Sequence, residues 1–235
     1  MIGVQIEGKH TFRDWGLKWL ACEIPMPEAK TTNVDVPGLD GVLDYTEALT
    51  GQACFSNREI VLTFDRLDEN IAEWQRIYSE IAAHCHGKIC RIVLDTDPAY
   101  YYQGRVSVGA AKDSERVTQL TFTVDADPYK YEVSGSTGDW LWDLFSFEDG
   151  VIREYQDIPV NGTKEVVCVG VQREVIPLIT CSSNMMLRFN GHDYSLTARK
   201  GGNRVVEVVL EPNKENRLAF TGNGTVTIDY RGSVL

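Results

Sequence analysis

The chain has 235 residues, 43% hydrophobic and 24% charged, with 20 Gly and 8 Pro. That composition excludes a collagen-like repeat, a low-complexity polymer and a wholly disordered chain, while the length suits one large domain or two smaller ones. The net charge of -11 is shared by both halves, about -7 over residues 1–130 and about -4 over 131–235, with no basic tail or stripe. Stable binding to DNA or RNA, which needs clustered Lys and Arg to displace counterions, is therefore not expected, nor is docking on an anionic membrane.

The run Met1-Ile2-Gly3-Val4-Gln5-Ile6-Glu7 lacks the basic and apolar regions of a secretory signal, and no apolar run is long enough to span a bilayer. A cytoplasmic site of synthesis is the expectation, with Cys22, Cys54, Cys85, Cys90, Cys168 and Cys181 reduced. Further along, Pro37-Gly38 and Asp40-Gly41 predict tight turns. Thr46 to Leu49 carries a weak signal for a short helical turn. Arg58 to Phe64 is the first clear strand by alternation.

Asp68 to Gly87 predicts the one long helix. Asp68 suits the N-cap, Gly87 the C-terminal stop, and Ile71, Trp74, Ile77, Tyr78, Ile81 and Cys85 recur at spacings of three and four. Strands are then predicted over Lys88 to Leu94, Gly104 to Val108 and Arg116 to Val124. The small polar run Ser134-Gly135-Ser136-Thr137-Gly138 predicts a junction, dividing the chain into domains 1–131 and 132–235.

The second half carries Asn161-Gly162, Asn190-Gly191 and Asn223-Gly224, each a hairpin signal because a type I′ turn needs two positive φ angles. Around Asn190-Gly191 a two-residue loop pairs Phe189 with His192, Arg188 with Asp193, Leu187 with Tyr194 and Met185 with Leu196. The apolar side chains then share one face, and the opposite charges pair on the other. Val226, Ile228 and Tyr230 alternate with Thr225, Thr227 and Asp229. Short strands at this spacing predict a β-sandwich.

Motifs for chemistry are sparse. Asp95-Thr96-Asp97-Pro98 and Asp125-Ala126-Asp127-Pro128 put paired carboxylates on one side of an extended chain, as a divalent metal needs, but the same residues end strands and make turns. His84-Cys85-His86 with Cys90 sits at a helix end, where neighbours point apart, so a core cysteine beside surface histidines is the better reading. No nucleophile elbow or phosphate loop occurs. No enzyme, metal or cofactor is expected. Asn161-Gly162-Thr163 and Asn223-Gly224-Thr225 match the glycosylation pattern only as turns. Trp140 and Trp142 share one side of an extended segment; they either pin a domain junction or, exposed, stack on a sugar.

The order of Trp15-Gly16-Leu17, the run Val34 to Glu47 through Pro37-Gly38 and Asp40-Gly41, Asn57-Arg58 before a strand, the helix with Trp74, Tyr100-Tyr101-Tyr102 with Gly104-Arg105, and Asp127-Pro128-Tyr129-Lys130-Tyr131 resembles the distal tail proteins (Dit) of long-tailed phages. The closing Tyr230-Arg231-Gly232-Ser233 resembles that family's C-terminal end. The resemblance implies a mainly β chain: a split-barrel or sandwich ring domain with one packed helix, then a galectin-like β-sandwich. It further implies a structural virion protein at the tail tip, a homo-hexameric ring joining the tail tube protein to a tail-associated hub or lysin protein and to receptor-binding proteins. DNA passes through such a ring without stable binding. The other reading kept open is a carbohydrate-binding module for host-surface recognition that uses Trp140 and Trp142.

Overall fold

The computed structural model describes residues 2–48, 51–66, 71–112, 118–133, 154–171, 173–212 and 214–235, leaving aside the side chains of 71, 72, 110–112 and 118. The chain is mainly β and divides into two compact units, Met1–Lys130 with Leu235, and Tyr131–Val234.

In the first unit, β1 (Val4–Ile6) and β2 (Lys9–His10) form a hairpin whose turn, Glu7-Gly8, has φ of 44° and 85°. Next come a short helix α1 (Thr11–Trp15), β3 (Leu17–Glu23), and a separate two-stranded sheet of β4 (Asn33–Val34) and β5 (Leu43–Asp44). Then follow β6 (Arg58–Arg66), the long helix α2 (Ile71–Cys85), β7 (Ile89–Leu94), β8 (Asp97–Lys112) and β9 (Thr118–Ala126). The main sheet runs β2-β1-β7-β8-β9-β6-β3, every pair antiparallel, and this path ends on β2 and β3.

Alternation along β6, β7 and β9 sends Ile60, Leu62, Phe64, Ile92, Leu120, Phe122 and Val124 to one buried face. The apolar stripe of α2 covers that face: Trp74, Ile77, Ile81 and Cys85 are buried in the same core, with Tyr78 packed beside them. Asp68, the expected N-cap, lies outside the described residues. Gly87 ends the helix with φ of 73°. The strand expected over Gly104 to Val108 is the middle of the longer β8, whose hairpin with β7 turns at Asp95-Thr96. Arg116 and Val117 lie outside the described residues, and the remainder of that strand is β9.

Thr46 to Ala48 form the short turn expected there, closed by Ala48 N–H donating to Tyr45 O at 3.0 Å, with Leu49 outside the described residues. Helix α1 was not expected: it carries no periodic signal, being little more than one turn long. Its N-cap is His10, an uncommon residue there. His10 Nδ1 accepts from the backbone N–H groups of Phe12 and Arg13, both at 3.1 Å. With Nδ1 accepting, Nε2 is the protonated nitrogen, and it donates to Asp95 Oδ2 at 3.0 Å. A Cβ at Gly3 would lie 2.5 Å from His10 Cε1, so this position admits only glycine.

Strand β10 (Lys130–Glu132), which begins on the last residue of the first unit, pairs with β16 (Ser233–Val234), Glu132 N–H donating to Gly232 O at 3.0 Å. Between them lie β11 (Ile158–Val169), β12 (Leu178–Cys181), β13 (Met185–Phe189), β14 (His192–Leu196) and β15 (Glu215–Asp229), in the order β11-β15-β13-β14 with β12 also on β15. The β13–β14 hairpin has the register expected from its sequence, pair by pair, with Asn190 and Gly191 at φ of 48° and 82°. Met185, Leu187, Phe189 and Leu196 are buried, while Arg188 and Asp193 pair at 3.7 Å on the exposed face. Val226, Ile228 and Tyr230 are buried as their alternation predicts.

The other two Asn-Gly pairs are not turns. Asn161 faces Asn223 and Gly162 faces Gly222 in the middle of the long β11–β15 ladder. Their glycines sit where β15 exchanges one neighbour for another: residues 219–221 pair with β13, residues 226–229 with β12. Gly222 and Gly224 have φ of 154° and 146°, and a Cβ on Gly224 would lie 2.5 Å from Ser182 Oγ. Glycine is needed here because neighbouring side chains crowd the strand and φ is positive, a use that shares its local sequence with the hairpin turn. Leu218 and Phe220 before these glycines and Val226 and Ile228 after them enter one core.

Two predictions follow from close packing. A Cβ at Gly104 would lie 2.4 Å from the Asp125 carbonyl oxygen, whereas at Gly109 the nearest contact is 3.9 Å. Gly104→Ala must push β8 from β9 and is expected to cost about 1–3 kcal/mol in thermal unfolding, with Gly109→Ala near neutral. Of the six free cysteines, only Cys22 and Cys54 are exposed, and burial pushes the thiols of Cys85 and Cys168 up to about 12. A thiol reagent at mildly alkaline pH should modify two cysteines in the native protein and all six in denaturant.

Candidate assembly surface

From residue 24 to residue 57 the chain leaves the main sheet and returns as a two-stranded arm. Its base is a bridge between Ala29 and Phe55, with Lys30 N–H donating to Cys54 O and Ser56 N–H to Glu28 O, both at 2.8 Å. Farther out, Tyr45 N–H donates to Thr32 O at 2.8 Å, and Thr32 N–H to Thr46 Oγ1 at 3.1 Å. The β4–β5 pair follows, and the tip turns through Pro37 to Gly41, with Leu39 N–H donating to Val36 O at 3.1 Å. Gly38 and Gly41 have φ of 87° and 81°, which explains both glycines.

Backbone hydrogen bonds give the arm its shape, but among its described residues Pro27 alone is buried. Val42 is 56% exposed, Tyr45 48% and Leu39 47%, and Val34 and Leu43 are exposed too. Contiguous apolar side chains left in water mark a surface that meets a partner. Between residues 31 and 48 the arm carries Asp35, Asp40, Asp44 and Glu47 and no Lys or Arg. The hydroxyl and backbone N–H of Thr46 hold the Asp44 carboxyl below the usual carboxylate range.

Nine of the residues that carry the sequence resemblance, together with Asn57 and Arg58, fall in three places. Pro37, Gly38, Asp40 and Gly41 form the arm tip. Asp127, Pro128 and Tyr129 meet Asn57 and Arg58 at the arm base: buried Arg58 donates to Pro128 O, the Tyr129 ring packs edge-on against Phe55 at 6.1 Å, and Asn57 donates to Asp125 Oδ1 at 2.9 Å. The Arg58 guanidinium also lies 5.5 Å from the Tyr102 ring centre. Thus two stretches about 70 residues apart in sequence anchor the return of the arm to the sheet. Trp15 and Gly16 lie elsewhere: Trp15 is buried against His84 at 5.5 Å, and Gly16, with φ of 67°, caps α1 by donating to Phe12 O and Thr11 O.

The alternatives for chemistry do not converge. Asp95 accepts from His10 and from Gly3 N–H, Asp97 pairs with Lys130 at 2.6 Å, Asp125 holds Asn57, and Asp127 N–H donates to Gln103 O. The Asp95 carboxyl is lowered by these hydrogen bonds despite an opposing effect of burial. Cys85 and Cys90 are buried, His84 Nε2 meets Ile6 O and His86 Nδ1 accepts from Val108 N–H. Among the described residues no group of three potential ligands is gathered for a metal, and no helix is long and apolar enough to cross a membrane. Trp140, Trp142 and the run Ser134 to Gly138 lie outside the described residues.

No family model and no curated protein matches the chain. Among solved structures it is similar to the crystal structure of the Dit (gp 19.1) protein of phage SPP1, described as a paradigm of the hub adsorption apparatus in phages infecting Gram-positive bacteria. The two agree with a TM-score of 0.65 over 100% of both chains, at 13% sequence identity. The resemblance read from the sequence thus has its counterpart in three dimensions, and the chain has the fold of a phage distal tail protein over its whole length.

Proposed function

We propose that this chain is a structural, non-enzymatic distal tail protein, the hub at the tip of a long phage tail. The observation that carries the reading is the arm of residues 24–57, ordered by backbone bonds yet exposing its apolar side chains. The full-length fold likeness to a tail hub protein supports the same conclusion. In this reading residues 1–131 assemble into a homo-hexameric ring, and residues 132–235 form a galectin-like domain. The ring joins the tail tube protein to a tail-associated hub or lysin protein and to receptor-binding proteins, on a virion assembled in the bacterial cytoplasm. A closed ring also covers sheet ends that would otherwise invite uncontrolled pairing.

Light scattering at high protein concentration should find a species six times the chain mass. Replacing residues 33–44 by a short glycine linker should leave a folded monomer, since none of these residues lies in the main core. A full-length chain that remains monomeric and does not assemble with its tail partners contradicts the proposal. Because residues 1–130 carry a charge of about -7, low-salt filter binding should show no appreciable affinity for duplex DNA; tight, salt-sensitive retention contradicts a DNA-conducting channel. Finally, Trp140→Ala or Trp142→Ala should lower the melting temperature, at about 3–5 kcal/mol for a packed indole. Glycan binding that vanishes in a fully stable variant would favour the carbohydrate-binding alternative.

A further inference from the structure

The three Asn-Gly pairs of the second unit share a chemical weakness. Glycine has no side chain to shield its backbone nitrogen, which is therefore free to attack the carboxamide carbon of the asparagine before it. Asn161, Asn190 and Asn223 are all exposed, so water reaches each of them. Their backbones differ. Asn161 and Asn223 face each other inside the β11–β15 ladder, and β15 is held on its other side by β12 and β13. There the Gly162 N–H donates to Asn223 Oδ1 at 3.2 Å. That one bond engages the nitrogen that would attack Asn161 and holds the carboxamide that would be attacked at Asn223. The Ser183 hydroxyl also donates to the Asn223 backbone carbonyl. Asn190 and Gly191, by contrast, form the tip of the β13–β14 hairpin. The ladder closes by pairing Phe189 with His192, and the Gly191 N–H has no acceptor among the described residues. Behind the tip, Leu187, Phe189 and Leu196 are buried and hold the strands together. The turn therefore opens alone, at far less cost than parting the strands of a ladder.

We propose that Asn190 is a site of spontaneous modification, and that the folded chain directs this chemistry to Asn190 while protecting Asn161 and Asn223. The Gly191 nitrogen gives its proton to hydroxide and bonds to Asn190 Cγ. The Cγ–Nδ2 bond then breaks, and the released nitrogen takes a proton from water and leaves as ammonia, which restores the hydroxide. The cyclic succinimide left behind is opened by water at either of its two carbonyls. One opening gives aspartate. The other gives isoaspartate, in which the main chain runs through the former side chain. Both products place a new carboxylate near the exposed Arg188–Asp193 pair. Isoaspartate also adds a carbon to the backbone, which a two-residue turn of fixed register does not absorb. An age-dependent change is thus confined to one turn of the second unit. It does not depend on the hub reading above.

Peptide mapping by mass spectrometry tests the assignment. The three asparagines fall on separate tryptic peptides, so each is followed by its own conversion of amide to acid. The full-length chain is stored at mildly alkaline pH, folded in one sample and in denaturant in another. The denatured sample gives the rate that the local sequence sets for each site, and there all three should convert. In the folded sample, each rate is divided by the denatured rate for the same site. That ratio should be about tenfold or more higher at Asn190 than at Asn161 or Asn223, as a modest difference in local opening produces. Conversion at Asn190 should also quicken as pH rises, because the Gly191 amide must lose its proton. Equal ratios at the three sites overturn the proposal, as does a higher ratio at Asn161 or Asn223. An Asn190 that stays intact in the folded chain while the denatured chain converts overturns it too.

Discussion

A polypeptide segment is normally held by the apolar side chains it buries, and the arm between β3 and β6 is held otherwise. Its backbone bonds are satisfied by a two-stranded ladder, but its valines, leucines and tyrosine stay in water. An isolated two-stranded hairpin is marginal on its own. This arm therefore depends on its base, where buried Arg58 bridges to Pro128, Tyr129 packs on Phe55 and Asn57 holds Asp125. The long-range contacts made by the Asp127-Pro128-Tyr129 run keep the arm rooted while its apolar side chains stay exposed.

The rest of the first unit supplies a rigid mount. A seven-stranded antiparallel path buries one face under α2, and the close approach of β8 and β9 at Gly104 leaves no room for a side chain. At the other end of the path, His10 ties three elements together: it caps α1, donates to Asp95 in the β7–β8 turn, and packs against Gly3. The bond to Asp95 joins segments 85 residues apart, and both ring nitrogens of the buried His10 find partners, the condition under which a buried polar group specifies a fold rather than weakens it. The helix is further tied by two ion pairs, the buried Arg66 side chain to Glu73 and the exposed Lys9 to Glu80; the exposed pair orients more than it stabilises.

What the sequence made legible was periodic. The stripe of α2 and the alternation of β6, β9 and the β13–β14 hairpin are each visible in neighbouring residues, because burial acts with the period of the element. The hairpin at Asn190 was readable to single-pair register because turn chemistry, apolar face and charge pairing agreed. Asn161-Gly162 and Asn223-Gly224 show why turn chemistry alone is insufficient. A glycine inside a crowded strand and one that closes a hairpin look alike until the partner strand is known. Helix α1 was invisible because it is short and capped by a histidine. The arm was the largest gap: Pro37-Gly38 and Asp40-Gly41 marked its turns correctly, yet nothing local indicated that the intervening valines and leucines would find no core. Only the meeting of Arg58 with Pro128 across the fold shows that this stretch is a rooted projection.

The central claim is that these exposed surfaces are satisfied by further copies of the same chain. Negative-stain imaging of the purified full-length protein, alone and after mixing with its tail tube partner, tests it most directly. The account predicts closed rings with sixfold symmetry in class averages and a central opening. Single particles of one chain under both conditions would contradict it.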